Sequence, residues 1–115
     1  MKRYESIEHI TKEQAELTLH NSSNISRDEL VTLLLGLHEI EDAIWVHNQY
    51  LKYISNDDYW VSSAAITGLG HLARVSESFE KDSVVYLLKK LSNERPELES
   101  KIEDALNDIE VFSQQ

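Results

Sequence analysis

The stretch from Asp57 to Val75, DDYWVSSAAITGLGHLARV, constrains this chain more than any other. Two aspartates suited to capping a helix open it, and Val61, Ala65, Gly68, Leu69 and Leu72 follow as an apolar stripe at helical spacing. Small residues stand in the stripe where another helix must come close. The stretch reads as the central packing helix of a repeat. At about 100° per residue, Trp60, Ser63, Thr67, His71 and Arg74 point away from that stripe.

Other helices can be placed around it. Thr11 and Gln14 match a capping box at the start of a helix near residues 11–20, whose modest apolar face is drawn from Ile7, Ile10, Ala15, Leu17 and Leu19. The polar run from His20 to Asn24 is a loop, because its side chains compete for backbone hydrogen bonds. Ser26 and Glu29 form a second capping box, with Ile25 and Leu30 at the spacing of a hydrophobic staple. The helix that follows, apolar from Leu30 to Ile40 around most of its circumference, is expected to be the most buried element.

After Glu41 and Asp42, a third helix to about residue 54 is expected to place Ile44, His47, Leu51 and Ile54 on one face, with Ala43, Val46 and Tyr50 beside it. Ser55-Asn56 ends it, and the short connection makes it an antiparallel neighbour of the opening helix. Ser76-Glu77-Ser78 is the next turn. A fifth helix spans Asp82 to Leu91, and Pro96 suits the first turn of a last one with Leu98, Ile102, Ala105, Leu106 and Ile109 as its apolar positions. Its final residues, Ser113 to Gln115, are expected to fray.

The helices share a faint repeat. A shift of 32 residues carries Gly36-Leu37 onto Gly68-Leu69, and a shift of 37 carries that pair onto Ala105-Leu106. The second shift also takes Val61 to Leu98, Ala65 to Ile102 and Leu72 to Ile109. With three glycines, one proline and 41% hydrophobic residues in 115, the expectation is one all-α domain over residues 1–115, built of five to six helices in about three antiparallel hairpins.

Asp57, Ala64, Ala65, Leu69 and Gly70 resemble the second helix of a HEAT repeat, over about residues 42–75. The proline that usually follows the aspartate is missing, and serine stands at the usual arginine position. The resemblance implies a HEAT-like right-handed stack and speaks to fold far more than to function. Small acidic helical-hairpin proteins are also similar to immunity proteins of bacterial toxin systems, including contact-dependent growth inhibition. That likeness implies a cytoplasmic inhibitor that covers the active site of a nuclease toxin.

Charge narrows the partners. The formal net charge of -10 repels a phosphate backbone and favours a cationic protein. No cysteine is present, which removes disulfides, thiolate metal sites and cysteine nucleophiles. The start has a positive tip without an apolar run behind it, and no stretch approaches the roughly 20 apolar residues that span a bilayer. A cytoplasmic protein that binds neither membrane nor nucleic acid is expected.

Enzymatic chemistry finds little foothold. His38 and Asp42, like His9 and Glu13, have the spacing of a zincin pair but lack the second histidine and a third ligand. Gly68-Leu69-Gly70 lies inside an apolar-periodic helix rather than after a strand, so it reads as close packing and not as a phosphate loop. Asp57-Asp58 and Glu103-Asp104 read as a cap and a solvated face. No catalytic residue, metal or cofactor is expected.

The polar side of the opening helix is the better candidate. The repeat shift places Glu97, Ser100, Asp104 and Asp108 level with Trp60, Ser63, Thr67 and His71, so an aromatic stands beside a carboxylate ladder. A tryptophan on the polar side with steering charges is the composition of a protein-binding face, the alternative being that Trp60 packs under the preceding helix or the terminal segment. The expected contact residues are Asp57, Asp58, Tyr59, Trp60, Thr67, His71, Glu97, Asp104 and Asp108, and the expected function is non-enzymatic binding of a cationic toxin domain. A small adaptor or scaffold that binds an endogenous protein is the alternative.

Overall fold

The computed structural model describes residues 10–75 and 80–113. Six α-helices occupy them: α1 (Lys12–His20), α2 (Arg27–Gly36), α3 (Ala43–Tyr53), α4 (Tyr59–Val75), α5 (Lys81–Glu94) and α6 (Glu99–Ser113). Short 3-10 turns stand at Ser22–Asn24, Leu37–Glu39 and Pro96–Leu98, and the described residues include no strand. The chain is all-α. Ile7, His9, the turn expected at 76–78 and residues 114–115 lie outside the described residues.

The helix starts are chemically specified. In both capping boxes the exchange is reciprocal: Gln14 N–H donates to Thr11 Oγ1 at 3.2 Å while Thr11 N–H donates to Gln14 Oε1 at 3.0 Å, and Glu29 and Ser26 do the same at 3.1 and 3.0 Å. Asp42 accepts from Trp45 N–H at 3.1 Å, which starts α3. Of the two candidate caps for α4, Asp58 takes the role and accepts from the N–H groups of Trp60 and Val61 at 2.8 and 3.2 Å. Pro96 opens the 3-10 turn that leads into α6.

Helices α2, α4 and α6 lie side by side in one row, with α4 in the middle. They run in the same direction, because contacts join them start to start and end to end. Arg27 meets Asp58 and Arg95 reaches the carbonyls of Asn56 and Asp57 at the starts, while His38 meets His71 and Arg74 meets Asp108 at the ends. Helix α3 packs on the row antiparallel to α4: the Ile54 carbonyl near its end accepts from the Ser62 hydroxyl, and Tyr50 lies against Gly68 further along. Helix α5 packs on α6, and α1 is tied to the start of α3 by Lys12 and Asp42 at 2.8 Å.

This placement makes α4, not α2, the most enclosed helix. Residues 61–66, 68–70, 72 and 73 are all buried. Helix α2 stands at the end of the row, where α4 alone flanks it within the row, and Leu35 is 39% exposed. The α-helix there ends at Gly36, and the tighter turn Leu37–Glu39 brings Leu37 fully into the core.

Rotation of α3 also differs from the periodic reading. Val46, His47, Tyr50, Tyr53 and Ile54 face inward, whereas Ile44 is 68% exposed and Leu51 is half-buried. Docking of Tyr50 over Gly68 sets that rotation. In α1, Ala15 and Leu19 join the core and Leu17 stays outside.

The glycines test this packing. A Cβ at Gly68 would collide with the Tyr50 ring and stand 2.7 Å from its hydroxyl, and Tyr50 cannot swing aside because it is fully buried and donates to the Leu34 carbonyl at 2.6 Å. Gly68→Ala therefore lowers unfolding free energy by about 2–3 kcal/mol in urea titration. Gly36, with open space around it and a φ of -97°, behaves oppositely. Gly36→Ala stabilises by about 0.5–1 kcal/mol.

Candidate protein-binding face

Helix α4 is walled by α2 and α6 at its sides and by α3 beneath, so only one strip of it reaches solvent. That strip comprises the exposed Trp60 and Arg74 and the half-buried Thr67 and His71, in line along the helix. Ser63, expected on the same side, is 5% exposed because the flanking helices close over it. The face is thus a narrow line of groups between two shoulders.

At the N-terminal end, Trp60 is 55% exposed and its ring meets Tyr59 edge to face at 4.9 Å. Tyr59 is half-buried and packs against the core, so the exposed indole stands on a fixed support. Asp58 is occupied by its cap and by Arg27, whose guanidinium lies 3.7 Å away. The exposed Asp57 has no side-chain ion pair among the described residues. Its backbone carbonyl, with that of Asn56, accepts from Arg95.

Glu97, level with Trp60 on the neighbouring element, is held by Arg95 at 3.1 Å. Its own backbone N–H, and then Arg95, keep its carboxyl below the usual range. Further along α6, Asp104 is exposed and forms no ion pair among the described residues, while Asp108 is half-buried and lies 3.4 Å from Arg74. Each end of the carboxylate ladder is therefore matched by an arginine, and the middle is open.

At the other end His71 meets His38 edge to face, with ring centroids 5.0 Å apart. Burial depresses the basicity of His71, the nearby His38 and Arg74 depress it further, and Asp108 opposes them. Gly70 lets α6 approach at this point, since a Cβ there would sit 3.4 Å from Ala105 Cα and 3.1 Å from an Asp108 oxygen.

The nine residues predicted from sequence thus fall into two groups. Asp57, Asp58, Tyr59, Trp60 and Glu97 gather at the start of the row, and Thr67, His71, Asp104 and Asp108 lie along its remainder. Two residues that pair with carboxylates of this face, Arg95 and Arg74, were not among them. Arg95 carries no motif, and its role arises only when the chain returns to the loop before α4. The spacing pair His38 and Asp42 is otherwise engaged: His38 contacts the Leu35 carbonyl, and Asp42 caps α3 and binds Lys12. No group of three or more potential metal ligands occurs among the described residues. No helix among them is long and apolar enough to cross a membrane.

Comparison with protein families, curated proteins and solved structures gives no match to this chain. The functional reading therefore rests on the face itself.

The arginines separate structural from exposed charge. Arg95→Ala removes a mostly buried guanidinium that satisfies two loop carbonyls and lowers stability by about 1.5–3 kcal/mol. Arg27→Ala breaks only a half-exposed pair and costs less than about 1 kcal/mol. Denaturant unfolding of the two variants reads the difference.

Proposed function

We propose that this chain is a non-enzymatic protein-binding module of HEAT-like type, and that the strip of α4 between α2 and α6 docks a cationic protein. Most concretely, it acts as a cytoplasmic immunity protein that neutralises a basic toxin nuclease by covering its active site. The observation that carries this reading is Trp60: a large aromatic, more than half exposed and braced by Tyr59, on a face where the carboxylates of Asp57 near it and Asp104 further along form no ion pair among the described residues. Such an indole loses little conformational freedom on docking, and tryptophan is enriched among the residues that dominate interface energetics.

The net charge of -10 supports the choice of partner, because an acidic field speeds encounter with a basic surface and is attenuated by salt. Asp57 and Asp104 need no internal bond to be broken before they meet a partner's lysine or arginine. Asp58, Glu97 and Asp108 instead hold Arg27, Arg95 and Arg74, and serve binding mainly by keeping the face in shape.

The test uses the product of the gene adjacent to this chain's own, which the immunity reading expects to be a nuclease toxin. Trp60→Ala combined with Asp104→Asn, with helicity and unfolding midpoint retained, weakens inhibition by about 100-fold, as expected for loss of a central anchor and a steering charge. Association with the wild-type chain slows as salt rises. Unchanged inhibition by the double variant removes the site assignment, and a neighbouring gene product that neither binds nor loses activity removes the immunity reading.

A further inference from the structure

The contact between His38 and His71 adds a polar ring pair to the packing of α2 and its following turn against the end of α4. His38 belongs to the Leu37–Glu39 turn that closes the first hairpin, and His71 belongs to the last turns of α4. The Leu35 carbonyl, 3.0 Å from His38 Nδ1, can only accept, so neutral His38 carries its proton on that nitrogen. His71 Nδ1 is buried and has no hydrogen-bond partner among the described residues. A neutral imidazole accommodates this by keeping its proton on Nε2, leaving Nδ1 a bare lone pair.

An imidazolium cannot do the same. Both of its ring nitrogens carry protons, so charging His71 places an N–H at a buried position with no acceptor. The surrounding charges do not compensate. Arg74 on α4 is a second cation beside it, and Asp108 on α6 is shared with that arginine at 3.4 Å. Glu39, next to His38 in the turn, is exposed. From α3, the Tyr50 phenol is pushed above its ordinary range by burial and stays neutral.

We propose that the contact between His38 and His71 is a proton-operated clasp, closed while His71 is neutral and opened when His71 is protonated, which loosens the Leu37–Glu39 turn from the end of α4. This inference does not depend on the partner proposed above. Its sign follows from linkage: the open form binds more protons than the closed form, so the closed form loses stability as pH falls from about 6.5, the unperturbed histidine value. Histidine is the side chain that changes charge in this range without special tuning.

Local hydrogen exchange tests the clasp in the intact chain. Between about pH 7.5 and 5.5, exchange at residues 37–40, corrected for its intrinsic pH dependence, rises by roughly tenfold relative to the amides of α5. In His71→Gln and His38→Gln that extra rise disappears. His47 is also buried, and burial depresses its basicity, so His47→Gln serves as the control that retains the local rise while reducing the acid sensitivity of global unfolding. Because a glutamine variant can pack poorly, ring-proton titration of the wild-type chain is the second readout. His71 titrates below the free histidine range, because burial and the nearby cations disfavour its charged form. A His71 ring that titrates at or above the free histidine range, or a local rise that survives both glutamine variants, overturns the clasp.

Discussion

The fold depends on the space above Gly68. The Tyr50 ring fills the volume that any side chain at that position would need, and its hydroxyl reaches past α4 to the Leu34 carbonyl on α2. One residue therefore fixes the separation of α3 from α4 and ties both to α2. A buried phenol left without an acceptor carries a desolvation cost comparable to a lost hydrogen bond, so the three helices are mutually dependent at this point. The same logic recurs more weakly at Gly70, where the missing side chain lets α6 approach. The small residues of α4 are the reason a single helix can have neighbours on three sides.

Much of this was readable before any coordinates. Both capping boxes formed at the residues named for them, because they are local and depend on side chains three positions apart. The pairing of Gly36, Gly68 and Ala105 through the repeat shifts also pointed to three helices in register. Periodicity was less informative where several sides of a helix are apolar: it assigned α2 the deepest burial, and it turned Ile44 inward. Neither error could be removed locally. Which apolar residues are covered depends on how many neighbours a helix has, and that is a property of its place in the row.

The candidate face divides in the same way. Exposure of Trp60 follows from its position opposite the small-residue stripe. The carboxylates level with it were visible as a ladder, but Arg74, which meets Asp108, stands on α4 rather than α6, and Arg95, two residues before Glu97, belongs to no motif. Sequence spacing counts charges along a helix; it does not say which of them have already been met. In this molecule the difference leaves Asp57 and Asp104 as open acidic groups on the expected face, a much smaller set than the net charge suggests.

The parallel arrangement of α2, α4 and α6 has a consequence for how the chain assembles. The bonds that stitch α4 to the last hairpin join residues 34 to 39 positions apart. Helices joined by short loops can meet early, but each bond across the row requires an intervening helix to be placed first. On a ribosome, the loop before α4 must wait for Arg95 to emerge before its carbonyls gain their donor. The start of the central helix is thus completed by one of the later parts of the chain to be made, and the N-terminal helices by themselves form an unfinished structure whose exposed edge is the side of α4 that α6 will cover.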